Sequence, residues 1–471
     1  MPKINPKIFK AYDVRGIYPA EIDEAGVYQI ARAFCQFLKP KQIVIGCDVR
    51  FSSPSLKQAA IKGALDENVK VVDVGEISTD MLYFAVAHYG YDGGFTITAS
   101  HNPKEYNGAK FVREGSRPIS SDTGLFDIRD LADRIPPPPL QGGARGGLVG
   151  DELNVNNYKL NEEENKNVEH KNILNDYIQK IKTFADFSKI GKFKIVANPN
   201  FGAAGKAVDK LLKGTNIEII KLNYEPDGNF PKGRPDPLVP ENRAETSQLV
   251  LDSGADLGVA WDADADRCFF FTEKGEFIEG YFITALLAQI FLSRFPGEKI
   301  IHDTRLTWAI EDIIKKNNGI DIATKAGHSF MKERLRQENA IFGGEMSAHY
   351  YFRDYFYCDC GLIPLVMILE YLSVEGKKLS QVMAETFGDK YFVSGEINRQ
   401  VPDVNLILSQ AEKKYAPGAI KVDKTDGISI DHALWRFSLR GSNTEPVIRL
   451  NVEARNKDLM EEKRDELLFI M

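Results

Sequence analysis

Three times along the chain a compact apolar run is followed by a turn, a helical stretch and a second apolar run, and this recurrence narrows the possible folds sharply. Gln42 to Ile45 leads into Cys47-Asp48-Val49-Arg50, a helix from about Pro54 to Leu65 and a strand at Lys70 to Val74. Lys194 to Ala197 leads into Asn200-Phe-Gly202-Ala-Ala-Gly205, a helix ending at Leu212 and a strand at Ile217 to Leu222. Lys299 to His302, a helix near Trp308 to Lys316 and a strand at Ile320 to Ala323 repeat the order, continued by a helix from Ser329 and a strand at Ala340 to Phe342. Short apolar runs bounded by turn signals and alternating with helical patterns read as βαβ units. The tail differs: Trp435 to Leu439 and Val447 to Val452 read as two strands, with a charged helix at Lys457 to Leu468 behind them. The expected fold is three similar α/β domains with mixed sheets, plus a smaller C-terminal α+β domain, around a central cleft.

At 471 residues the chain exceeds the size at which one hydrophobic core stops growing, so several domains are required. With 43% hydrophobic and 27% charged residues it can bury large cores, and a net charge of −7 offers no broad cationic surface for nucleic acid or anionic lipid. The longest apolar runs, Tyr281 to Leu292 and Leu362 to Leu369, are too short to cross a bilayer, and the N-terminus has no apolar leader, so a cytoplasmic address is expected. Five cysteines are an odd number, which argues for reduced thiols; Cys358 and Cys360, the one close pair, read as packing residues. Residues 136–171, with Pro136 to Pro139, Gly142 to Gly147 and an Asn/Glu/Lys stretch, have the composition of a solvated insert or linker.

The chemistry concentrates in four strings. Thr98-Ala-Ser100-His-Asn-Pro103 offers a serine hydroxyl on a turn, and Asp262-Ala-Asp264-Ala-Asp266-Arg267 offers three carboxylates at alternate positions, suited to a hard divalent cation. A calcium hand is excluded, because the sixth position counted from Asp262 is Arg267 rather than glycine. Gly344-Glu345-Met-Ser347 carries oxygens suited to sugar hydroxyls. Arg440-Gly-Ser442-Asn443-Thr444 gathers donors into the makings of an anion nest, with Arg449 on the next strand. The first three follow expected strands, and reactive groups of open α/β sheets collect on loops leaving the carboxyl ends of strands.

Together these strings resemble the signatures of the α-D-phosphohexomutase family, over essentially the whole chain outside the insert. Phe9-Lys-Ala-Tyr12-Asp-Val-Arg15-Gly is similar to the family's opening motif. The resemblance implies reversible phosphoryl transfer between O6 and O1 of a hexose through a phosphorylated Ser100 and a hexose 1,6-bisphosphate. It implies one Mg²⁺ per chain held by Ser100, Asp262, Asp264 and Asp266, with Lys110, Arg267 and His349 completing the catalytic group. Tyr12, Arg15, His328, Glu345, Ser347, Arg440, Ser442, Asn443, Thr444 and Arg449 are the expected substrate contacts. The implied units are a phosphoserine-loop domain (1–135), the insert (136–171), a metal domain (172–275), a sugar domain (276–385) and a phosphate-binding domain (386–471). Mannose phosphates are the first expectation for substrate, with glucose phosphates or both sugars as the alternative, in a monomer or homodimer. The family more often carries glycine where Ala263 stands, so strain is expected there if φ is positive. A phosphatase using Asp262 as nucleophile and a silent sugar-phosphate-binding relative are the competing classes, and the intact serine loop and all three aspartates argue against them.

Overall fold

The computed structural model describes residues 4–136, 158–441 and 447–471. The first three sheets share one four-strand plan. In the first, Tyr106–Arg113, Gly93–Ile97, Gln42–Cys47 and Lys70–Glu76 lie side by side; in the second, Cys268–Phe271, Leu257–Trp261, Phe193–Asn198 and Ile217–Lys221; in the third, Tyr350–Phe352, Phe342–Gly344, Lys299–Asp303 and Ile320–Thr324. The last three strands of each set are parallel and the first antiparallel. Parallel strands covered on both faces carry unbroken apolar runs rather than alternation. Ile43, Val44 and Ile45 accordingly have no solvent exposure.

This plan positions the chemistry. Each candidate loop of the first three domains joins the third strand in chain order to its antiparallel neighbour, so the serine, aspartate and glutamate loops are topological equivalents. The fourth domain has its own sheet, in which Trp435–Gly441 and Val447–Ala454 pair antiparallel, packed by the helices Val404–Tyr415 and Lys457–Ile470.

Cores show how the parts are joined. One continuous apolar cluster runs from Leu82 and Phe84 of the helix Thr79–Tyr89, through Val259 and Trp261, to Leu286 and Phe352, fusing three domains. The fourth domain has a separate core, including Ile430, Phe437 and Leu450. The two long apolar runs are the helices Gly280–Arg294 and Ile363–Glu375, which pack on one another and are buried along most of their length. Among the described residues no helix is long and apolar enough to cross a membrane.

Two expectations are corrected. The linker reading fails for residues 158–171: Tyr158 is buried and its ring lies 5.8 Å from that of Tyr28, Asn161 and Glu164 form a capping box for the turn Glu162–Asn165, and Val168–His170 adds a parallel strand beside Lys70–Glu76. The polar residues there cap a turn and line a sheet edge, which composition alone cannot tell from solvation. The rest of the insert, 137–157, lies outside the described residues. Strain at Ala263 is likewise not observed. The left-handed residue of the aspartate loop is Ala265, with φ 55°. The close approach falls on Gly202, whose Cβ would sit 2.4 Å from the Ala263 carbonyl oxygen.

Candidate active site

Ser100 takes a left-handed conformation, φ 50°, at the end of its strand. Such a backbone costs a β-carbon-bearing residue about 1–2 kcal/mol, so something must hold it there. Arg50 supplies the hold. Its buried guanidinium donates to the carbonyl oxygens of Ser100 (2.5 Å), Asn102 (2.7 Å), Pro103 (2.7 Å) and Tyr106 (3.1 Å), while Nε donates to Asp48. Asp48 also accepts from the Thr98 hydroxyl, and that hydroxyl accepts from the Ser100 amide. The serine loop is thus built from its backbone outward, leaving Ser100 Oγ 3.1 Å from Asp262 Oδ2 and 3.1 Å from His101 Nδ1.

Asp262, Asp264 and Asp266 are all buried, and each offers an oxygen within 4.8 Å of the others. Lys110 donates to Asp264 Oδ2 at 2.7 Å and to Asp266 Oδ2 at 2.6 Å. Of the other oxygens of that pair, Asp264 Oδ1 has no hydrogen-bond partner among the described residues, and Asp266 Oδ1 meets the His349 ring at 3.4 Å. A buried carboxylate oxygen left without a donor fits a hard cation, and these three acids would hold one. Burial and repulsion from Asp266 and Asp264 push the Asp262 carboxyl up to about 7, against the pull of Arg267. Burial works against the Lys110 ammonium, yet Asp264 and Asp266 hold its pKa above the usual lysine value, so it stays charged. Arg267 Nε donates to Asp262 at 2.8 Å, its Nη1 lies 3.3 Å from Asp236, and its buried Nη2 has no partner among the described residues.

The third loop is stitched to the second, since Arg267 and His349 form a backbone bridge and Cys268 N–H donates to the Ala348 carbonyl. His349 Nε2 lies 3.4 Å from Asp266, and Nδ1 lies 3.1 Å from Ser347 Oγ and 3.6 Å from Glu345. Burial opposes the imidazolium, but Asp266, Glu345 and Asp359 raise the His349 pKa. His328 goes the other way, because burial and Lys332 favour its neutral ring. The Tyr12 ring packs 5.4 Å from His328, and Arg15 Nη1 donates to Asn102 Oδ1 of the serine loop. Glu345 accepts from the Gly327 amide and the Tyr351 hydroxyl.

In the fourth domain Arg440 and Arg449 reach the carboxylate of Glu396, which also meets Arg305 of the third domain. Ser442, Asn443 and Thr444 lie outside the described residues. Contacts link the others in series: Arg15 to the serine loop, Ser100 and Lys110 to the aspartates, Asp266 to His349, His349 to Glu345, and Glu345 through Arg305 and Glu396 to Arg440 and Arg449.

Arg50, Arg305 and Glu396 escaped the reading of the sequence, although a signal for two of them exists. Asp48-x-Arg50 and Asp303-x-Arg305 stand at the same place, just after the first strand of their repeats. In both, the arginine amide and Nε bond the aspartate, while the aspartate supports the neighbouring loop through Thr98 or the Met346 amide. The second repeat has Asn198-x-Asn200 there, with Asn200 Nδ2 donating to the Trp261 carbonyl at the root of the aspartate loop.

Comparison with known proteins agrees with this architecture. The chain matches the models of phosphoglucomutase/phosphomannomutase alpha/beta/alpha domain I over residues 6–136, domain II over 175–275, domain III over 279–389 and the C-terminal domain over 396–468. It is 44% identical over 470 residues to a phosphomannomutase of Escherichia coli, covering 98% of each chain, and 45% identical over 473 residues to one of Salmonella montevideo, covering 99% of each. A Xanthomonas campestris protein described as phosphohexose mutases is 42% identical over 458 residues, 97% of each chain. The crystal structure of a phosphoglucomutase/phosphomannomutase family protein from Burkholderia thailandensis superposes with a TM-score of 0.84 at 29% identity, covering 99% of this chain and 97% of that one. Four matched domains in order, together with full-length identity above 40%, place the chain in the phosphoglucomutase/phosphomannomutase family of phosphohexomutases, which are isomerases.

Proposed function

We propose that the protein interconverts mannose 6-phosphate and mannose 1-phosphate through a phosphorylated Ser100 and a hexose 1,6-bisphosphate. The observation that carries the mechanism is the Ser100 hydroxyl 3.1 Å from Asp262, among three buried acids, Lys110 and Arg267. Phosphoryl transfer asks mainly for positioning and charge neutralisation. Mg²⁺ bound by the three aspartates and Ser100 would supply positive charge to the transferring group. Arg267 Nη2, without a partner among the described residues, would serve the phosphoryl group as a planar donor, and the Lys110 ammonium balances the acids. His349, whose pKa is raised by the carboxylates around it, is suited to give a proton to the leaving sugar oxygen, while Glu345 and Ser347 take sugar hydroxyls. The Arg440 nest takes the phosphate that does not react, so that either end of the bisphosphate can face Ser100.

The mannose assignment rests on full-length identity to relatives named phosphomannomutase. A broader hexose specificity is the second reading, favoured by the relative described as phosphohexose mutases. Coupled assays on mannose 1-phosphate and glucose 1-phosphate side by side decide between them. Mannose 1-phosphate is expected to show the higher kcat/KM with residual turnover of the glucose epimer, since inverting one hydroxyl leaves a polar partner unpaired at a cost of about 1–3 kcal/mol. A preference for glucose 1-phosphate of about tenfold or more, roughly 1.4 kcal/mol, would refute the mannose assignment and leave the mutase chemistry standing.

A further inference from the structure

Glu396 stands where the fourth domain begins, immediately before the strand Ile397–Gln400 that pairs with Val447–Ala454. Its carboxylate is shared by three guanidiniums: Oε2 lies 3.4 Å from Arg305 Nη1 and 3.3 Å from Arg440 Nη2, and Oε1 lies 3.2 Å from Arg449 Nη1. Arg440 and Arg449 are direct cross-strand partners, and like charges placed opposite one another repel. Glu396 offsets that repulsion. The hold is loose, however. Charge-assisted bonds run about 2.7–2.9 Å, as the 2.8 Å contact of Arg305 with Asp303 does, whereas all three contacts of Glu396 are longer. Arg440 Nε, also buried, has no hydrogen-bond partner among the described residues.

A carboxylate held at long range, beside an Arg440 whose Nε still has bonding capacity, occupies the field of these arginines without saturating it. We propose that Glu396 is an internal anion of the phosphate nest, filling it when empty and competing with the non-reacting phosphate of the sugar when it arrives. The inference rests on the reading of Arg440 and Arg449 as phosphate contacts. In that cycle each phosphate of the bisphosphate must leave the nest once per turnover, and a nest that offered Arg440 and Arg449 no competing anion of its own would release a dianion slowly. Glu396 weakens the grip on both phosphates alike and returns the arginines to a neutralised arrangement as each departs. Because Arg305 belongs to the third domain, the same carboxylate ties the two domains together while no phosphate is bound.

The sign of the effect separates this role from a structural one. Glu396→Gln keeps the shape and removes the charge. If Glu396 merely orients the arginines, the variant binds anions more weakly; if it competes, the variant binds them more tightly. Calorimetric titration of the full chain with inorganic phosphate should give a Kd at least about fivefold lower in E396Q than in the wild type. KM for the hexose phosphate should fall with it, and kcat should fall because release slows. Glu396→Asp, which withdraws the carboxylate by one methylene, should shift phosphate affinity in the same direction and serves if E396Q does not fold. Unchanged or weaker phosphate binding in whichever variant folds overturns the proposal. Arg440→Gln reports on the reading beneath it. If that change leaves phosphate binding intact, the nest is elsewhere; if it abolishes binding while the Glu396 variants show no tightening, only the competition is wrong.

Discussion

Ser100 shows what one residue asks of its surroundings. Its hydroxyl faces Asp262 and His101, its backbone is left-handed, and the acids beside it are buried. Ser100→Ala removes the acceptor of phosphate while leaving the Arg440 nest in place. The variant should lose nearly all mutase turnover, by a factor of about 10⁴ or more, yet still bind hexose phosphate in calorimetry. Phosphoprotein formed from labelled bisphosphate should carry the label on Ser100; label on Asp262 would instead indicate phosphatase-type chemistry. The short motifs were legible at this scale because serine, alternating aspartates and the Gly-Glu-Met-Ser string keep their chemistry wherever they sit. Arg50 was missed, because a guanidinium that bonds four main-chain oxygens and one nearby aspartate looks in sequence like any surface arginine until Asp48-x-Arg50 is set beside Asp303-x-Arg305.

At the scale of elements, the serine loop depends on that arginine. The four carbonyl oxygens it reaches span residues 100 to 106, so one planar fork defines the path of the whole segment. Its opposite face packs 5.0 Å from the Phe230 ring of the second domain. Lysine keeps the charge opposite Asp48 but cannot reproduce the fork. Arg50→Lys should therefore lower kcat by about tenfold or more, with KM for hexose phosphate nearly unchanged and the melting temperature reduced by a few degrees. A variant with wild-type kcat would show that the loop holds itself. Strand and helix order was readable from period alone in all three repeats, and the helix Trp308–Lys316 has the expected bounds. The strand Val168–His170 was not readable, since three residues at a sheet edge leave no measurable period.

For the whole molecule, the junction of three domains meets at Asp80. Its carboxylate accepts from Ser78 and from Tyr177 of the second domain, and Tyr355 of the third domain bonds its backbone carbonyl. Burial raises its pKa to about 6, despite the hydrogen bonds from Cys360, Ser78 and Tyr177. A carboxyl that ionises less readily when folded binds its proton more tightly in the native state. Stability therefore falls as pH rises from below the unfolded value to above the folded one. Relative to Asp80→Asn, the wild type should lose about 2 kcal/mol between pH 4 and pH 7, measured by denaturant titration at a series of pH values. A difference independent of pH would mean that Asp80 ionises in the fold as it does in water.

The contacts that make the cleft join residues far apart along the chain: 162 positions separate Ser100 from Asp262, 154 separate Lys110 from Asp264, and 185 separate Thr79 from the aspartate it bonds. During synthesis the first domain leaves the ribosome well before its partners exist, and domains tend to fold as they emerge. Until the aspartate loop docks, Lys110 has no counter-charges and Ser100 has no acid beside it. A truncated product can thus be well folded at its N-terminal end and still be chemically silent. Under the proposed mechanism, a polypeptide cut short before Asp262 therefore carries the serine without the acids that would let it handle phosphate.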